Sequence, residues 1–188
     1  MAMRKLREAI VGTSRTDAFA QKAYIFVIRA TILLKHWESY VPALLYLLSR
    51  IHPRTPLSAP DLHEFVGYYI LDLCCRQSNY HDAYRIKHEY SYSDRKIDRV
   101  ISALVHDDWV TFWKVRGKVD GYMVALMGFA EGRVREVALK CLARSYFTAE
   151  KGFVERSAGM AWEVLVRECG VGWELEGERV TIRRAKGR

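Results

Sequence analysis

Apolar residues return at intervals of three and four along most of this 188-residue chain, the spacing that gathers them on one face of an α-helix. Between Thr16 and Lys35 that interval is kept by Phe19, Ala23, Phe26, Val27, Ala30 and Leu34, with Ser14 or Thr16 as the cap. Tyr24, Ile25, Ile28, Ile32 and Leu33 widen the stripe, so this helix is expected to be buried on more than one side. SYVPALLYLLSRI predicts the next helix, with Ser39 and Pro42 at its entry and Pro53 at its exit. His52 to Pro60 holds three of the four prolines and reads as a rigid loop. Ser58 then caps a helix whose apolar face is Leu62, Phe65, Val66, Tyr69, Ile70, Leu73 and Cys74.

Shorter helical patterns follow in NYHDAYRIKHEYS, in SDRKIDRVISALVHDD with Ser93 as its cap, in DWVTFWKVRGK and in DGYMVALMGFAEG. Beyond Glu131 the character changes. Val134, Val137, Ala138, Cys141, Leu142 and Tyr146 define one helix face, Thr148 is placed to cap a short helix, and Ala161 to Cys169 is a further helix ended by Gly170. Trp173, Leu175, Val180 and Ile182 then alternate with charged residues around Glu176-Gly177-Glu178, the mark of a hairpin with one wet face. The expected architecture is mainly α: a flexible start over residues 1–13, a helical-repeat stack over 14–130, and a small winged helix with a β-hairpin over 131–185, packed as one unit.

Composition narrows the function. A formal charge of +8 is a genuine excess, but acidic residues are mixed in throughout, which favours weak attraction to phosphate or acidic proteins. Cys74, Cys75, Cys141 and Cys169 form no CxxC pair and no zinc spacing; reduced thiols and a reducing compartment, nucleus or cytoplasm, are expected. The most apolar early run, Ala23 to Ile28, is far below the ~20 residues of a membrane span. No nucleophile motif, phosphate loop or metal-ligand spacing accompanies the scattered histidines and acids, so no enzyme, cofactor or metal is expected.

Residues 108–184 resemble the carboxyl half of PCI domains, the modules shared by the proteasome lid, the signalosome and translation initiation factor three. The likeness is greatest to the Sac/GANP branch. It rests on DWVTFWKV with Trp109, Phe112 and Trp113, on DGYMVALMGFAEGR, and on a helix carrying Ala138, Leu139, Ser145 and Tyr146. The resemblance implies a noncatalytic scaffold subunit of a multisubunit complex, in the setting of mRNA export or gene-expression coupling. A short subunit like those of the lid, the signalosome or the initiation factor is an alternative. It further implies another PCI protein as partner, and engagement of a small acidic disordered subunit.

Several residues are candidates for these contacts. A strand such as Glu178 to Arg184 offers backbone groups for sheet pairing, which places Val180, Ile182 and Trp173 at a partner surface. Tyr84 and Tyr90, within a patch that also holds Tyr80, Tyr92, Arg85, Lys87, Arg95, Lys96 and Arg99, suit an acidic peptide. Arg179, Arg183, Arg184 and Lys186, with Lys114 and Arg116, suit nonspecific contact with an RNA or DNA backbone. The helix Met160 to Cys169 offers only Arg167 against Glu163 and Glu168, which disfavours reading of base edges. The rival reading is a monomeric nucleic-acid-binding winged helix. At their spacings Trp109, Phe112, Trp113 and Tyr122 are expected in the core.

Overall fold

The computed structural model describes residues 2–183, which form eleven α-helices and one three-stranded antiparallel sheet. In chain order the helices of the first part are α1 (Ala2–Gly12), α2 (Ala18–Leu33), α3 (Trp37–Tyr46), α4 (Ala59–Cys75), α5 (Tyr80–Glu89), α6 (Arg95–Val105), α7 (Trp109–Arg116) and α8 (Gly121–Met127). A π-helical turn, Leu47–Ile51, continues α3. Then come α9 (Glu131–Ser145), β1 (Thr148–Glu150), α10 (Lys151–Ala158), α11 (Trp162–Cys169), β2 (Glu174–Glu176) and β3 (Arg179–Thr181).

Short polar side chains decide where these helices begin. Asp17, Ser58, Asn79, Asp94, Asp108 and Asp120 each accept a backbone N–H from the first turn of the helix that follows. Each such cap satisfies an otherwise orphaned donor and contributes about 1 kcal/mol. The hydrogen bonds from Thr111, through its side chain and its backbone, hold the Asp108 carboxyl below the usual carboxylate range. Asp17 and Asp94 cap where Ser14 or Thr16 and Ser93 were expected. In both cases the acceptor is the residue immediately before the helix, and a carboxylate there also suits the positive end of the helix dipole.

Two hydrophobic clusters lie along the chain. The larger draws on every helix from α1 to α8 and ends on α9 at Val134; Tyr24, Tyr40, Phe65, Tyr68 and Phe112 are among its largest fully buried side chains. The smaller contains Leu142, Val154, Ala158, Trp162, Leu165 and Val180. Thus α9 belongs to both, its first turns packing on the stack and its last turns on the sheet unit. Asp72 is wholly buried in the larger cluster, where Tyr40 donates to it at 2.5 Å, Arg76 twice at 2.7 and 2.8 Å, and Gln77 at 2.8 Å. A buried carboxylate needs such partners to remain in an apolar interior.

Three expectations are corrected. Residues 2–12 are helical rather than a flexible lead, because Ile10 is buried in the main cluster and Arg7 donates to the Ser39 carbonyl at 2.6 Å. On α2 the buried residues are Ala20, Tyr24, Val27, Ile28, Thr31 and Ile32, while Phe19, Phe26 and Leu34 face outward. Thr148 opens strand β1 instead of capping a helix, and α10 begins at Lys151 after Glu150.

The joint between the two clusters depends on one glycine. Gly159 ends α10 with φ +63°, and a Cβ there would lie 2.6 Å from the Trp113 indole. Its absence lets Trp113 pack against the end of α10 and donate from Nε1 to the Ser157 carbonyl at 3.0 Å.

Candidate interaction surfaces

The sheet order is β1-β3-β2, so β3 is central and its backbone is used on both sides. Val180 pairs with Ala149 on one side and with Leu175 on the other. Ile182 donates to the Phe147 carbonyl at 2.8 Å and Lys151 to the Glu178 carbonyl at 2.8 Å, which extends the β1–β3 ladder at both ends. These bonds correct the expectation of an open edge at Glu178–Arg184. Val180 is wholly buried, and Ile182 and Trp173 are half-buried against the smaller cluster, so all three hold the unit together.

Both outer strands, β1 and β2, lack a further strand among the described residues, and β2 is the one whose outward-turned residue is apolar and exposed. In an antiparallel ladder alternate residues direct their backbone groups away from the partner strand. Val180 turns its groups toward Ala149, so Leu175, opposite Val180, turns its N–H and C=O outward. Its side chain is exposed, as are Glu174 and Glu176 beside it. Next to this edge runs a groove of about 520 Å³ between α9 and the loop before β2, walled by Leu139, Ala143, Val171 and Trp173. The missed signal is β1, whose three residues are too short to show alternation.

The predicted basic contacts are dispersed. Arg116 donates to Glu131 at 2.6 Å and is neutralised there. Arg183 lies over the Phe147 ring at 4.4 Å and donates to the Arg144 carbonyl. Arg179 is exposed and donates to Thr148 Oγ1 at 3.1 Å. Arg184 and Lys186 lie outside the described residues. Lys114 is exposed and, with Arg156, rims a groove of about 460 Å³ floored by Val110, Trp113 and Phe153. Access of a base to the indole is restricted: Gly159 approaches Trp113 closely, and the Arg135 guanidinium sits 5.8 Å from its centroid. Phe112 is fully buried, and Trp109, Trp113 and Tyr122 pack against the main cluster.

In the tyrosine patch Tyr84 is exposed, Tyr80 and Tyr90 are half-buried and Tyr92 is buried. Burial pushes the Tyr90 hydroxyl pKa up. The basic residues around them already have partners: Arg85 pairs with Asp82 and Glu89, and Lys87 with Asp98. Among the described residues, Arg95, Lys96 and Arg99 of that group remain as exposed cations on α6 without a carboxylate partner. The surroundings of Tyr84 and Tyr90 are therefore less basic than the sequence suggests.

Cys74 and Cys75 are buried and Cys141 and Cys169 exposed, all free. Burial raises the Cys74 thiol to about 12 and the Cys75 thiol further. Among the described residues no group of three or more His, Cys, Asp or Glu is arranged to hold a metal ion, and no helix is long and apolar enough to cross a membrane. No protein-family model matches the sequence, and no curated protein matches it.

Proposed function

We propose that this protein is a noncatalytic, PCI-like scaffold subunit that joins a multisubunit complex through the edge of its carboxyl-terminal sheet. The observation that carries this reading is the outer edge of β2, which no further strand covers among the described residues, with Leu175 exposed, on a unit whose order is helix, strand, helix, helix, strand, strand. That order is the one a winged helix has, and its union with a helical stack through the shared helix α9 supports the PCI-like reading. An open edge adds a strand from a partner by main-chain hydrogen bonds, with side chains entering adjacent hollows for specificity. The groove beside Trp173 and Leu139 is such a hollow. The favoured partner is another subunit of the same kind, in mRNA export or gene-expression coupling, within nucleus or cytoplasm.

Nonspecific nucleic-acid contact is the second reading, favoured by the paired exposed cations Lys114 and Arg156. It is the weaker one, since Arg116 is neutralised and Gly159 packs closely on Trp113.

Affinity purification of the full chain from native extract, with and without nuclease, separates the two. A nuclease-resistant set of helical subunits, lost in Leu175→Pro, supports the scaffold. Pro removes the outward N–H and adds a ring at the edge without touching the β2–β3 bonds. Recovery of nucleic acid alone, unchanged in Leu175→Pro, refutes it.

A further inference from the structure

We infer that the outward face of α2 is a second docking site, which takes an acidic amphipathic helix from a partner protein. Phe19, Phe26 and Leu33 are 52%, 62% and 55% exposed, and Leu34 beside them is 73% exposed. Intervals of seven place the first three on one line along the helix. Ala23 and Ala30 stand between them, one turn from each large side chain, and leave shallow gaps into which the side chains of a second helix fit. The row runs for roughly 20 Å at 1.5 Å per residue, the length of a four-turn helix.

Area and charge select the occupant. With a fully exposed aromatic presenting roughly 150–250 Å², the four side chains expose roughly 400 Å² together. That is about half of the ~800 Å² per partner in a stable interface, enough to seat one helix and too little to hold two whole protomers together. The charged residues of α2 are Lys22 and Arg29, with no acid. Arg29 is engaged by Glu64 and Asp61 on α4, whereas Lys22, and Lys35 just beyond Leu34, form no ion pair among the described residues. Arg15 adds a cation over the Phe19 ring at 4.7 Å, although it also pairs with Asp17. Two copies joined across this face would meet with no acid on α2 to answer Lys22, on chains that both carry +8. A helix with carboxylates flanking an apolar stripe meets no such repulsion.

The probe is a synthetic helix of about 18 residues with leucines on one face and glutamates on the flanks, compared with a twin whose flanks are lysines. Fluorescence anisotropy is read on the full chain. The glutamate peptide is expected to bind at least about tenfold more tightly than its twin. Phe26→Asp is expected to weaken it about 30-fold or more, as loss of a buried aromatic anchor does. Lys22→Glu with Lys35→Glu is expected to reverse the preference. Phe26→Ser repeats the first test without adding charge, and thermal melts report that both variants are folded, as substitution of an exposed side chain predicts. Equal affinity for the two peptides, or none for either, overturns the proposal. So does concentration-dependent dimerisation that Phe26→Asp abolishes, which would make the occupant a second copy. Leu175→Pro must leave peptide binding unchanged; its loss would move the peptide to the sheet edge and overturn the α2 site. The sheet-edge reading stands or falls on its own purification test.

Discussion

Replacing Asp72 by alanine tests the most heavily connected polar group in the core. Its carboxylate is wholly buried and receives four hydrogen bonds, one each from Tyr40 and Gln77 and two from Arg76. Removing one member of a buried charged pair costs about 3–5 kcal/mol, because the remaining charge is stranded. Arg76 retains some access to water, with a side chain 20% exposed and stacked on Trp37 at 4.8 Å, so the lower half of that range is expected. For a chain of this size each kcal/mol moves the melting temperature by about 2–4 °C. Asp72→Ala should therefore melt about 10 °C below the parent in calorimetry or circular dichroism. Tyr40→Phe, which removes a single bond to a charged group, should cost about 1.5–3 kcal/mol. In the double variant the losses should fall short of additivity by about 1 kcal/mol or more, since both act on one network. A drop below about 3 °C for Asp72→Ala, or strict additivity with Tyr40→Phe, would refute a network that works as a unit.

The glycines that end α10 and α11 have the same backbone and different surroundings. Gly159→Ala meets both a left-handed φ and the Trp113 ring at 2.6 Å, and should cost about 2–3 kcal/mol in urea titration. Gly170→Ala, at φ +61° in open space, should cost about 1 kcal/mol; equal losses would show that the indole does not press on Gly159. With an aromatic disulfide reagent at neutral pH, Cys141 and Cys169 should react quickly and Cys74 and Cys75 only after unfolding; four fast thiols would contradict the burial. Burial, the largest cause, raises the Tyr24 hydroxyl to about 12 from an ordinary value of 10. A raised folded pKa means that the contribution is intact below pH 10 and is lost as pH rises from 10 through 12, because the unfolded chain ionises first. The urea midpoint should fall over that window, and by less in Tyr24→Phe; a flat profile refutes it.

Helices were legible in the sequence where one face alone is apolar. On α6 Ile97, Val100, Ile101 and Leu104 repeat cleanly, and those residues are buried. On α2 apolar residues occur all round, so periodicity identified a helix without saying which side turns inward; the choice belongs to Tyr24, Val27, Ile28 and Ile32, which meet α3 and its neighbours. Gly170 was readable as a helix stop because its left-handed φ favours glycine. The hairpin was readable from alternation and from Gly177 in its turn. The third strand was not, since Thr148, Ala149 and Glu150 carry no pattern of their own and become a strand only by pairing with β3. That single omission moved the expected docking edge from β2 to β3. The ion pairs that neutralise Lys87 and Arg116 were hidden, because only the folded chain brings Asp98 to Lys87 and Glu131 to Arg116, whereas Asp82 and Glu89 stand within one helical turn of Arg85.

The scaffold reading proposed above requires that the sheet edge keep its orientation to the stack, and the end of α10 supplies that constraint. The last carbonyls of a helix lack partners within it and carry the negative end of its dipole. At α10 these are filled from outside: Trp113 of α7 donates to the Ser157 carbonyl, and Arg135 of α9 donates from Nε to the Ala158 carbonyl at 3.0 Å. Arg135 also lies over the Trp113 ring and reaches Glu131, which in turn receives Arg116 of α7. The group therefore ties α7, α9 and α10 together with directional bonds, where apolar packing alone would permit sliding. Arg116, expected to meet nucleic acid, thus belongs to the joint between α7 and α9, where Glu131 neutralises it.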